Sequence, residues 1–132
     1  MRGIHHLGVA VTDLDEAIAT YSSLFGARLE RREELVEQGI EAAALLVGES
    51  WFELMTPTED DTPVGRFLAR RGPGMHHVAV QADDLRATLD ELSAAGAQLV
   101  DAVPRRGLFG LEFAFVHPDS VHGVLTEVVA SG

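Results

Sequence analysis

Four residues stand at spacings where they can do chemistry together: His6, Glu53, His77 and Glu127. Each sits in an apolar, strand-like stretch: Ile4-His5-His6-Leu7-Gly8-Val9, Trp51-Phe52-Glu53-Leu54-Met55, Met75-His76-His77-Val78-Ala79-Val80 and Leu125-Thr126-Glu127-Val128-Val129. A carboxylate between apolar neighbours is costly unless it is paired or bound to a cation. Imidazole and carboxylate are also the natural ligands of a divalent ion where thiolate is missing, and the chain has no Cys. Two His and two Glu of this kind make a candidate metal site.

The spacing comes from an internal repeat, a feature that fixes architecture before single residues are interpreted. Ile4-His5-His6 followed by Thr12-Asp13-Leu14 returns as Met75-His76-His77 followed by Asp83-Asp84-Leu85. Each copy opens with a His on a strand and closes with a Glu on a strand. Strand alternation puts His6 with Gly8 and Ala10 on one face. His5 and His76 fall on the opposite faces and are expected to pack rather than to ligate.

The elements that must carry these residues follow from local signals. Residues 3–11 form a strand. Asp13 caps a helix that runs to Gly26, and Glu16 completes a capping box. Strands are expected at 27–36, 40–47 and 50–56. Thr62-Pro63 starts a short helix that ends near Arg71. The second half repeats the order: a strand at 75–81, a helix capped by Asp84, then strands near 98–102, 111–116 and 123–129. The fold class is α+β: two paired βαβββ modules forming a curved mixed sheet around a central metal cleft. One domain over residues 1–132 is expected, with a first module of about 1–57, a linker helix at about 58–74 and a second module of about 75–132.

Composition excludes several functions. The net charge of −11 argues against nucleic acid and anionic membrane surfaces as partners. All ten basic residues are Arg, so no Lys is present to form a Schiff base. Arg pairs occur at 31–32, 70–71 and 105–106; one such pair is a candidate phosphate fork. Apolar runs are too short to span a bilayer, and the first residues lack a signal-peptide pattern, so a cytoplasmic location is expected.

With these residues in view, the chain resembles the vicinal oxygen chelate superfamily, built from paired βαβββ modules around one metal. The likeness runs through HHLGVAVTDLDEAI, EQGI, FELMTP, TPVGRFLARRGPGMHHVAV and HPDSVHGVLTEVV. Within the superfamily it is similar to the methylmalonyl-CoA epimerase group, to which GPGMHHVA and HPxxxxGVLTE are the most specific. The resemblance implies His6, Glu53, His77 and Glu127 as metal ligands. It also implies an acyl-CoA substrate whose C2 epimers interconvert through an enolate stabilised by the metal. Four protein ligands leave two places on an octahedral ion for a thioester and a carboxylate oxygen. Cobalt is the expected metal, with manganese, nickel or zinc as substitutes, and a homodimer is the expected assembly.

Glu127 is the expected first proton carrier. Some members of the family carry a second catalytic Glu at the position of Ala42, and many carry Lys at the position of Asp119. Glu41, one residue from Ala42, is the candidate second base if a bulge at Gly39-Ile40 turns it inward. Two other functions stay open on the same scaffold. One is a glyoxalase I-like lyase on a glutathione hemithioacetal; the other is a metal-free small-molecule-binding resistance protein.

Overall fold

The computed structural model describes residues 1–132. Contacts divide the chain into two compact units, one of His6–His76 and one of Met1–His5 with His77–Gly132. The boundaries fall inside β1 (Gly3–Ala10) and β5 (Gly74–Ala82).

In the His6–His76 unit, β1 leads into α1 (Leu14–Phe25), then β2 (Arg28–Leu35), β3 (Ile40–Val47), β4 (Ser50–Pro57) and α2 (Pro63–Arg71). The strands lie in the order β2-β3-β4-β1. β1 and β4 are parallel, while β4–β3 and β3–β2 are antiparallel. The cap of α1 forms as expected, with the Asp13 side chain accepting the Glu16 N–H at 3.0 Å. Gly26 ends the helix in the left-handed region (φ 64°), where a side chain would be strained. Leu14 of α1 packs on Val11, Ala43, Leu45 and Leu54, with Ala17, Ile18 and Tyr21 alongside. Burying each large aliphatic of this cluster contributes about 1.5–3 kcal/mol.

The other unit repeats the plan. β5 leads into α3 (Leu85–Ala94), β6 (Arg105–Arg106), β7 (Glu112–Val116) and β8 (Thr126–Ala130). The strand order is β5-β8-β7-β6, parallel between β5 and β8 and antiparallel elsewhere. Asp84 accepts the Ala87 N–H at 3.0 Å, the counterpart of the Asp13 cap. Leu85 and Leu89 pack on Ala82, Ala114, Val116 and Val128. Both units are thus βαβββ, and the α+β class with mixed strand pairing is borne out.

Two expectations need correction. The strand expected at 98–102 is reduced to a single bridge, Leu99 to Val116. Past Val100 the Asp101 side chain, rather than main chain, accepts the Phe115 N–H at 2.8 Å. Pro104 then denies the segment a ladder donor, and pairing resumes only at Arg105–Arg106, outside the strands expected from sequence. The last strand begins at Thr126 rather than 123, because His122 (φ 60°) and Gly123 (φ 93°) are both left-handed.

Candidate metal centre

The faces of each unit are set by register. In the first, Gly8 pairs with Glu53 and His6 with Trp51 across β1 and β4, and Ala44 pairs with Glu53 across β3 and β4. Paired residues share a face. His6, Glu53 and the small residues Gly8, Ala10, Ala42 and Ala44 therefore line one side, and the α1 core lines the other. His6 Nε2 lies 3.4 Å from Glu53 Oε1, with both side chains buried.

The second unit builds the same pair at the same register. Ala79 pairs with Glu127, and His77 stands two residues before Ala79, as His6 stands before Gly8. His77 Nε2 lies 3.3 Å from Glu127 Oε2, again with both side chains buried. Phe115 pairs with Glu127, Phe113 with Val129, and the Phe115 ring meets the edge of His77 at 5.4 Å between centroids.

The donor sets fit a divalent ion. Separations of 3.3 and 3.4 Å exceed an ordinary hydrogen bond. They match two ligand atoms on one ion: bonds of about 2.1 Å opened by about 90–110° place such atoms roughly 3.0–3.4 Å apart. Imidazole with carboxylate is a nitrogen and oxygen set suited to borderline first-row ions.

Glu41 is brought elsewhere. No bulge occurs at Gly39-Ile40; the pairing of β3 with β4 is unbroken from Ile40, and the register irregularity lies between Leu29 and Arg31 of β2. Gly39 (φ 68°) is used up in closing the turn at Val36–Gln38, so alternation runs undisturbed. Glu41 faces the α1 side. Its carboxylate binds Arg32 at 3.1 Å, and Arg32 also reaches Asp15 at the start of α1. Hydrogen bonds from Arg32 to Glu41, and then to Asp15, push the Arg32 pKa upward. Trp51 and Met55 flank Glu53 along β4 on the inner face, as wall residues should.

Sequence reasoning missed the aromatic lining of the second unit and the residue beside it. Arg105 pairs with Phe113 in the ladder and lays its guanidinium over that ring, 5.1 Å from the centroid. The alternation Phe113-Ala114-Phe115 was the available signal.

The chain belongs to the glyoxalase/bleomycin resistance protein/dioxygenase superfamily, whose model matches residues 5–115. More particular likenesses carry one enzyme's name. A methylmalonyl-CoA epimerase solved in complex with methylmalonyl-CoA and NH4+ is 36% identical, with a TM-score of 0.96 over 100% of this chain and 96% of that one. A variant of the Streptomyces coelicolor methylmalonyl-CoA epimerase in complex with 2-nitronate-propionyl-CoA is also 36% identical, with a TM-score of 0.95 over 100% and 99%. The ethylmalonyl-CoA/methylmalonyl-CoA epimerase of Cereibacter sphaeroides is 28% identical over 95% of each chain.

Proposed function

We propose that this chain is a metal-dependent epimerase that interconverts the C2 epimers of methylmalonyl-CoA. The observation that carries the reading is the duplicated His–Glu pair, buried and in the same register in both units. His6, Glu53, His77 and Glu127 would hold one divalent ion as a group. When bound, the ion supplies the Lewis acidity that stabilises charge on the substrate oxygens as the C2 proton leaves. The named relatives support the choice of substrate, and the nitronate ligand has the planar, delocalised anion expected of a mimic of an enolate.

The remaining chemistry falls to the chain's own groups. Glu127 is proposed as ligand and as the carrier that takes the proton on one face of C2. The salt bridge to Arg32 and the orientation toward α1 argue against Glu41 as the second carrier. Beside Glu53 on its own face stand Ala42 and Ala44, and the next carboxylate on that face, Glu33, is two strands away from Glu53 and paired with Arg31 at 3.7 Å. A water admitted beside these small side chains is the proposed return path for the proton. Residues 1–132 are read as one domain. Cobalt as the native ion, a homodimer and a cytoplasmic location complete the proposal; no helix is long and apolar enough to cross a membrane. Metal analysis of the purified protein and its mass in solution check the first two. Turnover is tested by adding one epimer of methylmalonyl-CoA and following the appearance of the other.

A further inference from the structure

Arg105 differs from the other arginines in its setting. Arg2, Arg28, Arg31, Arg32, Arg66 and Arg86 each pair with a carboxylate at the surface. Arg106 donates to the Gly110 carbonyl at 2.7 Å, and Arg70 and Arg71 lie on α2 in the other unit. Arg105 alone shares the face of β6, β7 and β8 that carries Phe113, Phe115 and Glu127, since ladder partners and alternate residues keep one side.

The side chain lies over an aromatic ring and beside a carboxylate. Its Nε is buried and lies 3.1 Å from Asp101 Oδ1 without making a hydrogen bond. The other Asp101 oxygen is taken by the Phe115 N–H, so Asp101 is fixed by β7. The Phe113 ring under the guanidinium is itself buried. This leaves the two terminal nitrogens as a planar fork with no protein acceptor. A preset fork of this kind matches carboxylate or phosphate. The duplicated register sharpens the point. In the other unit the residue corresponding to Arg105 is Glu33, the ladder partner of Ala42 as Arg105 is of Phe113. A cation at this position is thus specific to one half; on the same face of the other half Arg31 is already paired with Glu33 at 3.7 Å.

We propose that Arg105 binds an anionic oxygen group of the substrate through its terminal nitrogens; this rests on the acyl-CoA reading above and names a residue that recognises that substrate. The two sources of such a group are the acyl carboxylate and the phosphates of CoA. Phe113 and Asp101 are positioning residues for the fork.

The test is calorimetric binding of methylmalonyl-CoA, and of the methylmalonyl thioester of pantetheine, to the metal-loaded parent and to Arg105→Gln. The expected result is 10- to 100-fold weaker binding of methylmalonyl-CoA, the usual scale for losing hydrogen bonds to a charged group, with metal content unchanged. An equal loss with the pantetheine thioester assigns the fork to the acyl carboxylate, and a loss confined to the CoA thioester assigns it to phosphate. Arg105→Lys guards against misfolding: it keeps a cation beside Asp101 without the fork, and its binding should weaken several-fold. Unchanged affinity in both variants overturns the proposal, while turnover by the parent would leave the epimerase reading standing. A parent that binds neither thioester overturns both.

Discussion

The two halves of the repeat keep the same buried His–Glu pair and differ in what surrounds it. Around Glu53 the neighbouring strand β3 presents Ala42 and Ala44; at the corresponding places around Glu127 stand Phe113 and Phe115 of β7. The helix-facing sides differ far less: Leu14 on Ala43, Leu45 and Leu54 in one unit, Leu85 and Leu89 on Ala114, Val116 and Val128 in the other. Duplication has therefore held constant the helix-facing cores and the His–Glu pairs, and divergence has gone to the faces that carry the pairs. One face has small side chains beside Glu53, with the Arg31–Glu33 pair on the next strand. The other is an aromatic wall with the Arg105 guanidinium over Phe113.

The largest expected effect comes from removing a ligand. His77→Ala and His6→Ala should each lose most of the bound metal and with it nearly all turnover, since the proposed ligand set takes one His and one Glu from each half. Metal analysis after gel filtration checks this; full retention in either variant would break the equivalence of the two pairs. Next, Glu127→Gln should cut the rate of C2 proton exchange by about 10²-fold or more, the scale for losing a general base. Glu53→Gln should cost less in rate than Glu127→Gln at equal metal loading, because the face of Glu53 is assigned no base.

Filling the small face with the aromatic of the other, Ala44→Phe, should lose turnover by placing a ring beside Glu53. Overpacking should also cost about 1–3 kcal/mol, read as a drop in the urea midpoint. Retained activity would show that the small side chain has no function there. At the small end, Asp13→Ala and Asp84→Ala should each lower stability by about 1 kcal/mol, because both cap a helix through the same bond. Glu41→Gln removes only a partly exposed ion pair and should leave turnover within a few-fold. A loss near 10²-fold would return Glu41 to the chemistry.

Much of the molecule was legible in its sequence. The repeat located all four candidate ligands, because a carboxylate set in an apolar strand needs a cation or a partner to offset its burial. Caps and glycine stops placed the three helices within a residue or two. What alternation alone could not decide was where a strand yields to side-chain pairing. Asp101 replaces main chain on Phe115, so the apolar run at 98–102 makes one bridge instead of a strand. Arg105, placed by that same detour, fell outside the expected strands. Glu41 failed for a related reason: glycine permits a bulge, yet the freedom of Gly39 is spent on a turn.

The duplicated pairs are held to serve proton removal at C2 of a malonyl-type thioester. The most direct measurement is epimerisation of methylmalonyl-CoA in deuterated water, with metal-loaded protein, followed by mass and by proton resonance at C2. The account predicts deuterium at C2 of both epimers, catalysed by the parent and lost in His77→Ala. Protein that holds its metal but leaves the C2 proton unexchanged would contradict it.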